Sequence, residues 1–362
     1  MAAMMGDTMS DRSKTRRDFL KPTPSDSDRC ADPASAPVGG STVRVATRAM
    51  ACEFSVIMNP GSHEQVSMVG DVLEMVHEIE GWLSVYKWNS EISQTNRLAA
   101  TEPVRLRPAL YELLKTAQRL HQQTDGAFDI AAGTQIRLWQ ECRAEQRIPT
   151  AEELDAVLAR SGSHHLSLDD EAGTVTFDAD GLQLDPGAIG KGFALDEAAS
   201  WLQKMEDGPQ SFLVHGGHSS LVARGQHNEE TGWPVGIGNP LFTKKRLGTV
   251  LLRDQAMSTS GSNIQFFRHE GRRYGHILDP RTALPVEGML SVTVLADSAA
   301  TADALSTAFF VLGVENARTV CDNLSDVGAI LVPFPESGKR VTPTIIGVPF
   351  GQIFWDKEQV TV

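Results

Sequence analysis

Residues 182–202, LQLDPGAIGKGFALDEAASWL, have the composition of a phosphate-binding turn. Glycine allows the backbone to come close to an anion, and the first turn of a helix attracts negative charge. A lysine in the same turn can neutralise part of that charge. The segment is therefore a candidate for binding a phosphate group.

Two common phosphate-binding loops do not fit this segment. A Walker A loop requires glycine where the chain has Asp185 and a hydroxyl residue where it has Gly192. A dinucleotide fingerprint that starts at Gly190 requires a third glycine at the position of Leu195. The pattern predicts a strand that ends at Leu184 and Asp185, then a tight turn and a helix. A plain glycine-rich turn with a surface lysine is the alternative.

Asp303 and Thr307 are candidates for metal ligands. They are four residues apart in ADSAATADALSTAFFVLG, so a helix would present both side chains on one face. A carboxylate and a hydroxyl in this arrangement suit Mg²⁺ or Ca²⁺. The alternative is a solvated aspartate beside a threonine that is bonded to its own helix. Because the neighbouring residues are small or apolar, we expect Asp303 to need a partner.

Residues 274–285, YGHILDPRTALP, supply a candidate general base. His276 precedes Asp279 by three residues, and a nearby carboxylate could orient its imidazole ring. A structural histidine before a turn is the alternative. The segment MSTSGSN, residues 257–263, offers Ser258 and Gly261 for hydrogen bonds to a ligand, and a plain polar turn is the alternative.

Helices and strands must position these residues. Apolar side chains at helical spacing predict helices over residues 66–83 and 108–125, and a capping box of Thr150 and Glu153 begins a third. Residues 43–58 alternate like a strand with Met50 at a kink, and strand patterns dominate after residue 162. Helices between runs of strands, without a strict βαβ alternation, predict an α+β fold.

The composition is that of an ordinary globular protein. Of the 362 residues, 41% are hydrophobic and 22% charged, and the formal net charge is −13. This charge argues against nucleic-acid binding, which requires concentrated basic residues. Four cysteines without a CxxC pair predict free thiols. No apolar run reaches the roughly 18 residues of a membrane helix, so we expect no integral membrane segment.

The first 41 residues differ from the rest. They are rich in Ser, Pro, Asp and Ala, and we expect a disordered tail ahead of one domain over residues 42–362. Residues 15–21, TRRDFLK, resemble a twin-arginine export signal, but no apolar segment follows them. We therefore interpret the motif as vestigial and expect a cytoplasmic protein. A working signal would place the protein outside the cytoplasm.

Seven sequence blocks follow one another in an order that resembles a known family. They are SEISQTN (90–96), GAFDIAAG (126–133), LDPGAIGKGFALD (184–196), HGG (215–217), STSG (258–261), HILDPRT (276–282) and ADALSTAFFVLG (302–313). Over residues 43–348 the chain resembles the ApbE-type FAD:protein FMN transferases. The resemblance implies a T-fold-like α+β architecture with mixed, largely antiparallel sheets and packed helices. It also implies that the phosphate is the pyrophosphate of FAD.

The resemblance further implies a reaction and roles for particular residues. Family members cleave FAD in the presence of Mg²⁺, release AMP and attach FMN to a Ser or Thr of a client flavoprotein. By this resemblance, the carbonyl of Ala188 and the side chains of Asp303 and Thr307 would hold Mg²⁺. His276 would accept the proton of the client hydroxyl, and Lys191 with Asp185 would shape the phosphate site. The residues expected to contact FAD are Met50, Asn96, Asp129, Gly187, Lys191, Ser258, Gly261 and His276.

Three places depart from the family pattern. His218 follows the Gly-Gly pair, where an acidic residue or Asn is usual, Ala283 replaces a glycine, and Ala51-Cys52 replaces Gly-Thr. These changes affect the shape of the pocket more than its chemistry. Two other functions stay open: an FAD pyrophosphatase, in which water replaces the client hydroxyl, and a flavin-binding protein without catalysis. The metal pair argues against the second, since a pure binding protein would not need it.

Overall fold

The computed structural model describes residues 41–262, 266–335, 338 and 340–360. The predicted tail, except its last residue, and the TRRDFLK motif lie outside the described residues. The described α-helices are α1 His63–Leu83, α2 Glu91–Leu98, α3 Pro108–Gln123, α4 Gly133–Ala144, α5 Ala151–Leu158, α6 Gly190–Lys204 and α7 Ala299–Asp322. The described strands are β1 Val43–Ala49, β2 Cys52–Met58, β3 Val104–Arg105, β4 Leu166–Asp169, β5 Thr174–Phe177, β6 Phe212–Gly216, β7 Ser220–Arg224, β8 Trp233–Gly238, β9 Arg246–Leu252, β10 Ala256–Gly261, β11 Phe266–His269, β12 Arg272–Gly275, β13 Leu278–Asp279, β14 Leu284–Pro285, β15 Met289–Ala296, β16 Gly328–Pro333, β17 Thr344–Ile346 and β18 Ile353–Trp355.

An eight-stranded sheet forms the centre of the molecule. Its strand order is β1-β2-β6-β7-β10-β15-β16-β17, and each neighbouring pair is antiparallel. The smaller sheets, β3-β5-β4, β18-β9-β8, β11-β12 and β13-β14, are antiparallel too. The predicted α+β class with largely antiparallel sheets is confirmed.

The central sheet is covered on both faces. Helices α6 and α7 pack on one face, where α1 and α3 complete the larger hydrophobic core. The β8-β9-β18 sheet covers the other face and encloses a second core. Strand β15 shows the consequence: Val292 and Val294 point into the first core and Leu295 into the second, so all of its residues are buried. A strand that is buried on both faces does not show the apolar-polar alternation of a half-exposed strand.

Local signals predicted three helices correctly. Helices α1 and α3 follow the apolar spacing, and α5 begins at the capping box, in which Thr150 and Glu153 bond to each other's backbone N–H groups. The strand predicted over residues 43–58 is instead two strands, β1 and β2, joined by a turn at Met50 and Ala51. Among the described residues, the helices are too short or too polar to cross a membrane.

Candidate active site

The phosphate-binding candidate folds as a turn followed by a helix. Asp185 opens a 3-10 turn over Pro186–Ala188, and its carboxylate accepts a hydrogen bond from the N–H of Gly187 at 2.8 Å. Helix α6 starts two residues later and carries Lys191 in its first turn. Burial raises the pKa of Asp185, and the bond from Gly187 opposes this effect. Backbone N–H groups and a lysine therefore meet here, as expected of an anion site.

The strand predicted to end at Leu184 and Asp185 is not formed. The side-chain oxygen of Asn96 accepts the N–H of Leu184 at 2.7 Å, and its amide nitrogen donates to the carbonyl of the same residue at 3.0 Å. The N–H of Asp185 donates to the carbonyl of Ile130 at 2.8 Å. A side-chain amide thus takes the place of a neighbouring strand. The contact of Asn96 with FAD stays a prediction.

Helices α6 and α7 approach each other closely at Gly192. A Cβ atom at this position would lie 2.1 Å from the carbonyl oxygen of Ala299, so a larger residue would force the helices apart. The approach places the N–H of Gly192 3.2 Å from Oδ2 of Asp303. This glycine therefore brings the phosphate candidate and the metal candidate together.

Asp303 is buried and hydrogen-bonded, with only 5% of its surface exposed. Its Oδ1 accepts hydrogen bonds from the hydroxyl groups of Ser220 at 3.0 Å and Ser258 at 2.9 Å. Its Oδ2 lies 3.5 Å from Nζ of Lys191, beside the N–H of Gly192. The carboxylate is therefore not solvated, and it has the partner that we expected.

Two of the predicted metal ligands lie on α7, and the third lies in a turn that contacts this helix. Thr307 lies one turn after Asp303 on α7, with its Oγ1 3.1 Å from Oγ of Ser260. The turn that contains Ala188 contacts α7. Within the described ranges, no cluster of three or more His, Cys, Asp or Glu could hold a metal. The candidate donors are a carboxylate, a hydroxyl and a carbonyl, which are hard oxygens that fit Mg²⁺.

Each of these two helices caps the amino terminus of the other. Asp196 on α6 accepts hydrogen bonds from the N–H groups of Ala299 at 2.8 Å and Ala300 at 2.9 Å, in the first turn of α7. Asp303 on α7 accepts the N–H of Gly192 in the first turn of α6. The first N–H groups of a helix have no partner within it, and a carboxylate there is stabilised by the helix dipole. These three bonds fix the position of one helix against the other.

Asp129 is nearly buried, with 4% of its side chain exposed. It accepts hydrogen bonds from the hydroxyl of Ser163 at 2.6 Å and the N–H of Ala131 at 2.8 Å, and lies 3.2 Å from Nδ1 of His121. Burial is the largest influence on its pKa and raises it, but the contacts with His121 and Ser163 outweigh burial and lower the pKa. The bond with Asp129 raises the pKa of His121. Asp129 thus holds two loops together, and its contact with FAD stays a prediction.

The turn between β1 and β2 contains Met50 and two departures from the family pattern. Met50 and Ala51 have φ angles of 49° and 59°, in the left-handed region that favours glycine. Cys52 is a half-buried free thiol that faces Gly217, where a Cβ atom would lie 3.3 Å from its sulfur. Burial raises the pKa of this thiol, and the charge of Lys191 lowers it. The turn therefore lies beside the lysine of the phosphate candidate.

His276 lies in the bend between β12 and β13, with an exposed side chain. The carboxylate of Asp279 accepts hydrogen bonds from Arg281: from its N–H at 3.0 Å, from Nε at 2.8 Å and from Nη2 at 2.8 Å. Asp279 therefore shapes the turn that follows His276. That it also orients the imidazole ring stays a prediction.

Helix α4, which we did not predict, holds this loop in place. Gln135 donates a hydrogen bond to the carbonyl of Pro280 at 2.9 Å, and Trp139, one turn later, donates to the carbonyl of Ala283 at 2.7 Å. Ala283 has a φ of 57°, so it also occupies a position that favours glycine. The departures at residues 51 and 283 are both alanines in left-handed backbone.

Sequence reasoning missed Asp196, Ser220, Gln135 and Trp139. A signal existed for Asp196, because it lies four residues after Gly192 and so shares its helix face. No local signal pointed to Ser220, whose partner Asp303 is 83 residues away in the chain. Gly261 ends β10, opposite Ser291, and its contact with FAD stays a prediction.

Comparisons with known proteins identify the family of this chain. Residues 42–331 match the ApbE family. The FAD:protein FMN transferase of Vibrio cholerae serotype O1 is 31% identical over 271 residues, which cover 74% of this chain and 79% of the relative. That of Escherichia coli K12 is 32% identical over 244 residues, 66% of this chain and 69% of the relative. A solved structure of the flavin transferase ApbE from Vibrio cholerae superposes with a TM-score of 0.74 at 28% identity, over 84% of this chain and 97% of that one.

The fold and the site together define the class of protein. It has an α+β fold, and at its site a turn with glycines and a lysine packs against a buried aspartate. The chain belongs to the ApbE family.

Proposed function

We propose that this protein transfers FMN from FAD to a Ser or Thr hydroxyl of a client flavoprotein and releases AMP. The observation that carries the proposal is the meeting of α6 and α7, where Lys191 and the N–H of Gly192 lie against the buried Asp303. A pyrophosphate needs such a combination of backbone N–H groups, a lysine and a metal ligand.

Mg²⁺ would be held by the carbonyl of Ala188, the carboxylate of Asp303 and the hydroxyl of Thr307. When bound, it neutralises charge on the pyrophosphate and on the leaving AMP. Ser220 and Ser258 act through Asp303, because their hydroxyl groups fix its Oδ1.

The chain's own residues bind the pyrophosphate and move one proton. Lys191 neutralises phosphate charge, and Asp185 holds the turn ahead of α6 by accepting a hydrogen bond from the N–H of Gly187. His276 accepts the proton of the client hydroxyl as its oxygen bonds to the phosphorus of the FMN half. The bond from that phosphorus to the AMP oxygen breaks, and AMP leaves. Met50, Asn96, Asp129, Gly187, Ser258 and Gly261 remain the proposed surroundings of FAD.

The exposure of His276 supports a second candidate activity. A water molecule can reach an exposed base, so FAD hydrolysis to FMN and AMP would use the same residues. The flavin-binding protein without catalysis is disfavoured by the donor set on α7.

The test is incubation of the full chain with FAD, Mg²⁺ and a candidate client, followed by mass spectrometry of the client and measurement of AMP. A client that gains FMN supports the transferase. AMP without a modified client supports the pyrophosphatase, and tight FAD binding with neither product supports the binding protein. For the location we propose the cytoplasm, and fractionation that recovers a processed extracytoplasmic form would refute it.

A further inference from the structure

The β11-β12 hairpin leads directly to His276 and has two different faces. The paired residues are Phe266 with Gly275, Phe267 with Tyr274, Arg268 with Arg273 and His269 with Arg272. Because successive side chains of a strand point to opposite faces, Phe267 and Tyr274 share one face with Arg272, and Arg268 and Arg273 share the other.

The inner face of the hairpin is anchored to the protein. The rings of Phe267 and Tyr274 stack at 5.3 Å, and Trp139 of α4 lies 5.8 Å from Tyr274 and 6.1 Å from Phe267. Arg272 on this face forms an ion pair with Glu287 at 2.9 Å. The hairpin is therefore packed against the protein on this face, and the charge of Arg272 is neutralised by Glu287.

The outer face carries two arginines without a carboxylate partner. Arg268 is exposed, and Arg273 lies over the ring of Phe266 at 3.9 Å and donates to the carbonyl of Ser262. Across the described part of the chain, neither forms an ion pair with a carboxylate. Like charges directly opposite each other on a sheet are destabilising. The protein has 46 acidic residues against 33 basic ones, so two arginines paired across a hairpin form a local positive patch on an acidic protein.

The positive pair lies close to the candidate base along the chain. Arg273 precedes His276 by three residues, and a strand rises about 3.3 Å per residue, so their Cα atoms are at most about 10 Å apart. A peptide of three or four residues spans this distance. A client segment of this length could therefore reach from Arg273 to His276, which directly follows the hairpin.

We propose that the outer face of this hairpin docks an acidic segment of the client protein, beside the residue that accepts FMN. The proposal rests on the proposed function, since it assumes that a client hydroxyl reaches His276. A carboxylate between Arg268 and Arg273 would relieve their repulsion and form charge-assisted hydrogen bonds to both guanidinium groups. The recognition chemistry is that of an acidic peptide.

The experiment compares two peptides of the same length that carry one Thr acceptor. In one the acceptor is flanked by Asp residues and in the other by Asn. Binding is measured by fluorescence anisotropy of labelled peptide with the full chain, FAD and Mg²⁺, and transfer of FMN is measured separately. The variant is Arg268→Glu, and the matched control is Arg318→Glu, another exposed arginine, in the second half of α7.

We expect the wild type to bind the acidic peptide about tenfold more tightly than the neutral one, with the difference fading at high salt. Arg268→Glu should remove this preference, while Arg318→Glu should keep it. Both variants should bind FAD as the wild type does. Equal binding of the two peptides by the wild type would overturn the proposal, and so would equal losses in both variants. A preference that depends on Arg268 without FMN transfer would support the docking surface and refute the transferase. If both peptides bind with equal affinity and accept FMN at equal rates, the transferase is supported and the docking surface is refuted.

Discussion

Removal of the Asp196 carboxylate tests whether reciprocal helix capping positions the metal ligands. The side chain accepts three hydrogen bonds from the start of α7: from the N–H of Ala299 at 2.8 Å, the N–H of Ala300 at 2.9 Å and the hydroxyl of Ser298 at 2.7 Å. Asp196→Ala removes all three, whereas Asp196→Asn keeps the shape and one acceptor oxygen.

The expected loss of stability follows from the burial of these donors. Ala299 and Ala300 are 0% and 5% exposed, so their N–H groups would have little access to water after the change. A lost cap costs about 1 kcal/mol, and each buried donor left unpaired costs about 1 to 3 kcal/mol. Burial raises the pKa of Asp196. Removing this buried charge is itself favourable, so it offsets part of the expected loss of stability. We expect Asp196→Ala to lower the free energy of unfolding by about 2 to 4 kcal/mol and Asp196→Asn by about half as much.

The effect on the metal distinguishes positioning from stability alone. Without the cap, the start of α7 is held against α6 by fewer bonds, which loosens the position of Asp303, and we expect Mg²⁺ affinity to fall on the order of 10- to 100-fold, as for other groups that orient metal ligands. The assay is calorimetry of Mg²⁺ binding in the presence of FAD, together with urea unfolding. Thr150→Ala is the control, because it removes the cap of α5, which packs on α4.

The control should lose about 1 kcal/mol of stability and keep its Mg²⁺ affinity. If Asp196→Ala binds Mg²⁺ as tightly as the wild type although α7 is destabilised, the capping does not position the metal ligands. A loss of affinity in Thr150→Ala equal to that in Asp196→Ala would refute the reasoning as well.

Four further predictions concern the site and its surroundings. Asp303→Asn should abolish most AMP release and weaken the response to Mg²⁺, whereas Thr307→Val, which loses a neutral donor, should be partly rescued by more Mg²⁺; an unshifted titration for Asp303→Asn would remove this residue from the site. His276→Ala should bind FAD normally but transfer FMN on the order of 10²- to 10⁴-fold more slowly, and an unchanged rate would mean that the histidine is structural. Ala51→Gly should raise the free energy of unfolding by about 0.5 to 1 kcal/mol, since this exposed alanine has a φ of 59°, and a loss of stability in thermal unfolding would contradict this. The bond to Asp129 raises the pKa of His121 above its usual 6.5, so the stability that His121 contributes should be complete below pH 6.5 and decrease as pH rises through the folded-state pKa; a difference between wild type and His121→Gln that grows with pH would refute the assignment.

Much of the fold could be predicted from local patterns, and the exceptions have physical causes. Helix α1 has a regular apolar stripe and α5 a capping box, and both were found. Helix α4 was missed because it buries polar residues, Thr134 and Gln135, along with its apolar ones, which disrupts the amphipathic pattern. The strand before the phosphate turn was predicted wrongly because the amide of Asn96, distant in sequence, takes up the hydrogen bonds of Leu184.

For the site, the sequence indicated which residue types matter but not which residues contact each other. Composition and spacing identified Lys191 as a group that neutralises phosphate and Asp303 as a carboxylate that needs a partner, but not that the two lie 3.5 Å apart. That fact depends on a helix contact that only Gly192 permits, since any Cβ there would meet the backbone of Ala299. A glycine in a sequence indicates that other atoms can approach its backbone closely, and only the fold shows which residue those atoms belong to. Here the close neighbour is the first turn of α7, the helix that carries Asp303 and Thr307, so one residue couples the phosphate candidate to the metal candidate, and its replacement by alanine would separate both at once.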